Sequence, residues 1–341
     1  MARNLLGWLC LSIATCCLGV TGCGRDTGVF KPFQEVLRMK EPVRIGITRV
    51  QLNPVQSPWD ALVKAMEKKL ARRVQVVYYR PSQIRSQLNK GYLDLAILSA
   101  TDYAEIGEDS CVLLAKPINT LGQTSRQGLI IAKKDSKVKT LDDLKDRRFA
   151  FGPPGDAVSH LAAAYALLEA GLRPNDIQRE LLPIPMSRRH HLDSFEVAKA
   201  VAYEPLLEAG AVDEVAWSTW PAKTTAVAPV ATVLQSVSQD RYRIVARTVT
   251  LPEGPIVASK KADPALVAAV KEYLLSHEIP AKALKPMDWQ GFVAVEPGEY
   301  EPVVNMVRRL HEAGWVREEM LVAPTTAPAS EPAAEAAVEH G

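Results

Sequence analysis

Residues 43–98 read VRIGITRVQLNPVQSPWDALVKAMEKKLARRVQVVYYRPSQIRSQLNKGYLDLAIL. Three short apolar runs in this stretch are typical of buried strands: 43–47, 74–79 and 93–98. Between the runs, apolar residues recur at helical spacing, first after Ser57 and then up to Gly91. Strands separated by helices indicate a mostly parallel sheet that is covered on both faces, because parallel strands need crossover connections. The stretch therefore predicts an α/β fold.

The same alternation restarts near residue 128 and predicts a second sheet. Its strands are expected at 129–132, 149–151, 181–184 and 197–203. Further strands at 244–249 and 256–258 precede two last helices. Because a single core rarely grows so large, we expect two lobes: residues 43–127 with 244–322, and residues 128–243. The chain would cross between them near 124–127 and 247–252.

The N-terminal segment has the pattern of a lipoprotein signal. Arg3 supplies a positive charge, an apolar run follows, and Leu-Gly-Val-Thr-Gly-Cys at 18–23 resembles a bacterial lipobox. This predicts a signal peptide at 1–22, a lipid on Cys23, a tether over 23–42 and a periplasmic, membrane-anchored protein. The alternatives are an ordinary secretory peptide or a single membrane span, for which the run is short. The Pro- and Ala-rich residues 323–341 are predicted to be a disordered tail.

Composition and cysteine usage narrow the function. The net charge is +2 at pH 7 with both signs interspersed, which provides no electrostatic basis for binding nucleic acid. Once the signal peptide is removed and Cys23 carries lipid, only Cys111 remains, so no internal disulfide can form. The motifs GxSxG, HExxH, CxxC and GxxxxGK are absent from the sequence. The missing motifs disfavour an enzyme, and we expect a monomer without cofactor, metal or catalytic residues.

Seven stretches carry a resemblance to a known family: VRIGITRV (43–50), SPWDALVKAMEKKLARRVQV (57–76), LNKGYLDLAILSATDYAEI (88–106), GLIIAKKDSKVKTLDDLKDRRFAFG (128–152), AVAYEP (200–205), PEGPIVASKK (252–261) and MDWQGFVAV (287–295). Their order resembles that of the phosphate, phosphite and phosphonate type of periplasmic substrate-binding proteins, which serve ABC transporters. The resemblance implies the type II binding-protein fold, with a mixed, mostly parallel sheet in each lobe. It also implies a small polar or anionic ligand, phosphonate-like or related, held between the lobes and delivered to an ABC permease. The alternatives are an orphan or sensor-linked receptor, or a biosynthetic enzyme on the same fold.

Candidate ligand-binding residues lie where strands end, because ligands of such sheets bind outside the carboxyl ends of the strands. The predicted set is Thr48, Ser99, Thr101, Tyr103, Asp156, Ser159, His191, Glu204 and Glu253. The resemblance implies an aromatic contact at Tyr103, a histidine at His191, and acidic contacts at Glu204 and Glu253. Acidic contacts suit an amine on the ligand.

Asp156 departs from the family's pattern. The resemblance implies a Ser-Thr-Ser-Gly loop whose hydroxyls and helix N-terminal amides hold an anionic head. This chain has Asp156-Ala157-Val158-Ser159 there, and a carboxylate would repel a phosphoryl group. Asp156 either contacts the ligand or caps its own helix. The segment 188–191, Arg-Arg-His-His, is likewise either an anion clamp at the cleft or solvated surface.

Overall fold

The computed structural model describes residues 41–48, 57–181, 192–219, 238–296 and 298–316. Its strands are β1 (Val43–Thr48), β2 (Val74–Tyr79), β3 (Leu95–Ile97), β4 (Cys111–Asn119), β5 (Ser125–Arg126), β6 (Gly128–Lys133), β7 (Arg148–Phe151), β8 (Gln178–Leu181), β9 (Leu207–Asp213), β10 (Tyr242–Arg247), β11 (Leu251–Pro252), β12 (Ile256–Ser259) and β13 (Trp289–Val293). Its helices are α1 (Asp60–Leu70), α2 (Pro81–Lys90), α3 (Ala100–Ile106), α4 (Ala163–Glu169), α5 (Leu192–Tyr203), α6 (Glu214–Thr219), α7 (Pro264–Leu275), α8 (Ala281–Leu284) and α9 (Glu301–Glu312). A π-helical segment, Ala157–Ala162, runs directly into α4. Short 3₁₀ turns occupy Glu108–Ser110, Asp142–Leu144, Gln239–Arg241 and Lys285–Met287.

The first sheet is built around β1. Six of the described strands form it, in the order β13-β4-β12-β3-β1-β2. β1 is parallel to both β2 and β3, as the alternation of strands and helices predicts. Val43, Ile45 and Ile47 of β1 are buried in one apolar cluster with Leu62 and Met66 of α1, which removes this face of the strand from water. The outer pairings with β12, β4 and β13 are antiparallel, so the sheet is mixed and the predicted α/β class is confirmed.

The second sheet contains five of the described strands, in the order β10-β6-β9-β7-β8. β7 is parallel to β8 and β9, whereas β6 is antiparallel to both β9 and β10. Phe149 and Phe151 of β7 and Ile130 of β6 are buried in one apolar cluster. Leu129 and Ile131, which point to the opposite face of β6, lie in another. Both faces of this sheet are therefore covered.

One sequence prediction in the second sheet is wrong, and another lies mostly outside the described residues. Residues 197–203 belong to helix α5, and the strand that crosses the sheet is β9. Phe195, Ala198 and Val201 recur at helical spacing and are buried together, but a short apolar run fits a helix or a strand equally well. Of the strand predicted at 181–184, Leu181 ends β8, and the other residues lie outside the described part of the chain.

The boundary between the predicted lobes also lies later than expected. β10 pairs with β6 of the second sheet, so the chain leaves this sheet after Arg247 rather than before Ile244. The reason is that β10 forms an edge strand, whose mixed polar and apolar pattern does not reveal which sheet it joins.

The predicted crossing segments lie side by side. β5 and β11 form a two-stranded antiparallel ladder in which Arg126 pairs with Leu251 and Ser125 with Pro252. The Glu253 amide extends the ladder by donating to the Thr124 carbonyl at 3.0 Å. Each sheet therefore continues into the other through two adjacent chain segments.

Helix α9 and the residues after it join the cores of the two sheets. Tyr300, which precedes α9, packs edge-on against Tyr103 of α3, with ring centroids 4.8 Å apart. Trp315, which follows α9, packs edge-on against Phe151 of β7 with centroids 6.2 Å apart. All four rings belong to one buried cluster. Within the described ranges, no helix combines the length and apolar character needed to cross a bilayer.

Candidate functional site

A polar cluster lies where β1 and β3 end. Thr48 is the last residue of β1, and Ser99 is the N-cap of α3. Thr48 Oγ1 donates a hydrogen bond of 2.7 Å to Asp102 Oδ2, and the Ser99 amide donates to the same oxygen at 3.3 Å. Ser99 Oγ accepts from the Asp102 amide at 3.0 Å and lies 3.1 Å from Thr101 Oγ1. Ser99 and Asp102 therefore form a reciprocal capping box, Thr48 binds the same carboxylate, and Thr101 joins the cluster through Ser99.

The Asp102 carboxyl group lies in an environment that disfavours its charge. Burial raises its pKa above the ordinary value, hydrogen bonds from Thr48 and Ser99 oppose this shift, and the negative charge of Asp156 adds to it. The net result is a raised pKa for Asp102. Asp156 belongs to the loop after β7, so the two carboxylates follow strands of different sheets.

A second polar cluster lies in the loop after β7, around Asp156. We call this cluster and the one around Asp102 the two polar edges. Asp156 is the N-cap of the segment Ala157–Ala162, so the prediction that it caps a helix is confirmed. Its Oδ1 accepts hydrogen bonds from the Val158 amide (3.1 Å), the Ser159 amide (2.6 Å) and Ser159 Oγ (2.7 Å). The start of this helix is therefore held by one carboxylate oxygen.

Gly152 brings the end of β7 against this helix. Its amide donates to the Ser159 carbonyl at 3.0 Å. A Cβ atom at residue 152 would lie 1.8 Å from Ser159 Oγ, so a side chain cannot be accommodated without displacing Ser159. Buried His160 braces the same loop, because its Nδ1 accepts from the Gly155 amide at 2.9 Å and its ring packs edge-on against Phe151.

Arg126 links the two sheets at the crossing. Its Nε donates to Glu253 Oε1 at 2.8 Å, and its Nη1 donates to Asp213 Oδ2 at 2.8 Å. Asn119 Nδ2 also donates to Glu253 Oε1, at 2.9 Å. Burial would lower the pKa of the Arg126 guanidinium, but the charges of Asp213 and Glu253 outweigh it and raise that pKa. The arginine is therefore a fixed cation between the end of β9 and the segment after β11.

Several of the predicted site residues do not lie at the two polar edges. Tyr103 is buried in the apolar cluster against Tyr300, so its ring is a core residue. Glu253 is buried at the crossing, where it binds Arg126 and Asn119. His191 and Cys23 lie outside the described residues. Ligand contact by Thr48, Ser99, Thr101, Asp156 and Ser159 stays a prediction.

Glu204 lies at the wrong end of the second sheet for the predicted role. It follows helix α5 and precedes β9, and its carbonyl accepts a hydrogen bond of 2.7 Å from Lys133 Nζ. Lys133 ends β6, whereas Gly128 at the start of β6 pairs with Asp213. Glu204 is therefore separated from the Asp156 edge by the length of β9, and the carboxylate at the cleft end of that strand is Asp213.

Sequence reasoning missed Asp102, Arg126 and Asp213. Asp102 had a local signal, because it stands three residues after Ser99 in the spacing of a capping box. Arg126 and Asp213 had none, since their pairing spans 87 positions of the chain. In the described ranges, no three His, Cys, Asp or Glu side chains are grouped closely enough to hold a metal ion.

Comparisons with known proteins agree on the kind of protein. The sequence model of the family described as "ABC transporter, phosphonate, periplasmic substrate-binding protein" matches residues 48–300. No curated protein matches the chain.

Several solved structures share the fold at low sequence identity. XAC2383 from Xanthomonas citri bound to ATP has a TM-score of 0.61 and 20% identity, covering 80% of this chain and 98% of its own. A binding protein component of an ABC phosphonate transporter from Pseudomonas aeruginosa has a TM-score of 0.60 and 16% identity, covering 83% and 92%. PhnD1 from Prochlorococcus marinus in complex with methylphosphonate has a TM-score of 0.60 and 16% identity, covering 79% and 98%. At these identities the similarity supports the two-lobed binding-protein fold alone.

Proposed function

Since the chain belongs to the phosphonate periplasmic substrate-binding family of ABC transporters, we propose that it is an extracytoplasmic solute receptor. It holds a small polar ligand between the carboxyl edges of its two sheets and delivers that ligand to an ABC permease. The receptor returns the ligand chemically unchanged. It acts as a monomer.

One observation carries the proposal: polar groups follow the carboxyl ends of strands in both sheets, and the two sheets are joined at the crossing. Thr48, Ser99 and Thr101 surround Asp102 on the first sheet, and Asp156 with Ser159 lies on the second. The charge of Asp156 contributes to the raised pKa of Asp102. Convergent hydroxyls and carboxylates at strand ends are typical of small-molecule sites in α/β sheets.

The ladder of β5 and β11 supports a hinge between two lobes. We assign residues 43–127 with 248–316 to one lobe and 128–247 to the other, in line with the pairing of β10. Short paired segments can absorb a rotation through a few backbone dihedrals while the sheets move as units. A ligand that contacts both edges stabilises the closed arrangement through its higher affinity for that state.

The membrane anchor belongs to the same proposal. Cys23 follows a lipobox-like sequence and would carry the lipid that keeps the receptor on the periplasmic side of the membrane. Mass spectrometry of the mature protein tests this directly. A diacylated cysteine as first residue is the expected result, and an unmodified residue other than cysteine overturns the anchor.

The binding function is tested by a ligand screen on the purified full chain. Thermal unfolding is followed with phosphonates, phosphite, sulfonates, amines and amino acids, because a bound ligand raises stability by mass action. For the ligand found, Thr48→Val is expected to raise Kd about tenfold, since it frees Asp102 from its hydroxyl partner. Thr140→Val is the matched control, because the Thr140 hydroxyl binds Asp143 at an exposed turn.

Two outcomes contradict the proposal. One is a screen in which none of these solutes raises the unfolding temperature. The other is chemical conversion of the bound solute, which an NMR spectrum of the recovered ligand would reveal.

A further inference from the structure

The donors at the start of the second-lobe helix are already occupied from within the chain. Helix N-termini attract anions, because their first amides lack partners in the helix and carry the positive end of its dipole. Here Asp156 Oδ1 accepts from the Val158 and Ser159 amides and from Ser159 Oγ. These are two backbone amides and one hydroxyl that an oxyanion ligand at this point would need.

Within the described part of the chain, a cation that acts on Asp156 already has carboxylate partners. Arg126, whose electrostatic partners include Asp156, already donates Nε to Glu253 and Nη1 to Asp213. His160 Nδ1 accepts from the Gly155 amide, so this nitrogen carries no proton for an anion. Asp102 contributes a further carboxyl from the facing sheet.

We propose that Asp156 determines the specificity of this receptor by closing the helix end to phosphonates and other oxyanions. The ligand instead presents a hydrogen-bond donor to the second sheet. This inference rests on the proposed receptor function and narrows its ligand class. It follows from the geometry of one carboxylate, which takes the place that a ligand anion would occupy and repels a second anion beside it.

The test removes this charge while keeping the helix cap. Asp156→Ser retains a side chain that can cap the helix, and Asp156→Asn retains the shape of aspartate without its charge. Asp263→Ser is the matched control, because Asp263 also caps a helix, with Oδ1 accepting from the Ala265 amide at 3.0 Å, at a site remote from the two edges. Binding of methylphosphonate, inorganic phosphate and sulfate to the full chain is measured by calorimetry.

The native chain and Asp263→Ser are expected to bind these anions with Kd above about 1 mM. Asp156→Ser is expected to bind at least one of them about tenfold more tightly or better. Circular dichroism and thermal unfolding establish that each variant is folded, and Asp156→Asn replaces Asp156→Ser if the serine variant is not.

Two results overturn the inference. One is binding of methylphosphonate by the native chain at micromolar concentration. The other is a folded Asp156 variant that binds no anion more tightly than the native chain does. Failure of the receptor function is distinguishable, because it requires that no solute of the wider screen binds the native chain. Even then, a gain of anion binding in the Asp156 variants would show that Asp156 excludes anions from the helix end.

Discussion

At the residue scale, single close contacts determine the shape of both polar edges. Gly254 fits against the loop after β3, where a Cβ atom would lie 2.0 Å from the Leu98 carbonyl oxygen. Gly152 fits against Ser159 in the same way on the other sheet. Glycine at these two positions allows the backbone to approach where any side chain would overlap. The shape of both polar edges therefore requires glycine at these two positions, in addition to the hydroxyl groups that form hydrogen bonds there.

Gly152→Ala is expected to lower the free energy of unfolding by about 1–3 kcal/mol, because the added methyl displaces Ser159 from Asp156. Urea denaturation measures the change. Gly291→Ala is the matched control: its Cβ would lie 3.7 Å from Ile118 Cδ1, which is ordinary contact, and the change should stay within about 1 kcal/mol. Equal losses in both variants would contradict the close-approach argument.

Asp102 makes the pH dependence of stability predictable in sign. Its pKa is raised by burial above the ordinary value of 3.8. The folded protein therefore binds the proton more tightly than the unfolded chain, and stability is lost as the pH rises through the folded pKa. Asp102→Asn keeps an oxygen for Thr48 and Ser99 but no titrating group. Its stability relative to the native chain should increase as the pH rises from below 3.8.

Asp143→Asn provides a control of opposite sign. Hydrogen bonds from the Lys139 and Thr140 amides lower the Asp143 pKa, so the native chain gains stability from this group as the pH rises. Relative to the native chain, Asp143→Asn should lose stability over the same interval. Chemical denaturation of all three proteins at several pH values measures how the stability of each variant, relative to the native chain, changes with pH. Changes of the same sign in both variants would contradict a raised pKa for Asp102.

At the element scale, α9 contributes through one buried face. Val303, Met306, Val307 and Leu310 of this helix are buried, and Tyr300 and Trp315 extend the contact at its two ends. Arg309 on its outer side pairs with Glu169 and donates to Tyr165 Oη at 2.7 Å. Both partners of this ion pair are exposed, so the apolar face supplies most of the stabilisation.

Two adjacent valines test whether burial of the apolar face supplies most of the stabilisation from α9. Val303 is fully buried and Val304 is 42% exposed. Val303→Ala is expected to cost about 2 kcal/mol, because it removes buried methyl groups and leaves a cavity. Val304→Ala should change the free energy of unfolding by no more than about 0.5 kcal/mol. Urea denaturation compares the two, and a loss in Val304→Ala as large as that in Val303→Ala would contradict the claim that the buried face supplies most of the stabilisation, because alanine favours a helix more than valine does.

At the scale of the whole molecule, the two sheets are connected by the β5 and β11 ladder, by α9 and by Arg126. A hinge motion would change the contacts of Arg126, because this arginine binds Glu253 on one side of the crossing and Asp213 on the other. Glu214 strengthens the same region by accepting from Gln127 at 2.6 Å and from Arg247. The crossing is therefore a charged network around two short strands.

Arg126→Met is expected to destabilise the chain by about 2–3 kcal/mol at neutral pH, since it leaves the buried Glu253 carboxylate without its cation. Arg247→Met is the control: Arg247 is half-exposed, and its removal should cost less than about 1 kcal/mol. Urea unfolding measures both variants, and a loss in Arg126→Met no larger than that in Arg247→Met would contradict the role of Arg126 as the cation of Glu253.

Much of the fold was predictable from local pattern. The strands around 43–98 and the crossing segments were placed because apolar period, helix stops and turn residues are local properties. Residues 197–203 were not, since a run of valine and alanine suits a helix as well as a strand. That error carried over to Glu204, which was expected after a strand and instead stands before one.

By itself, the sequence determined an α/β chain with two sheets, and the polar residues Thr48, Ser99, Asp156 and Ser159 at the ends of their strands. Tertiary structure alone decided that Thr48 binds Asp102, that Tyr103 is core, and that Arg126 joins Asp213 to Glu253. The physical reason is range: caps and strand ends depend on neighbours a few residues away, whereas these contacts depend on strand register and on how the sheets are connected.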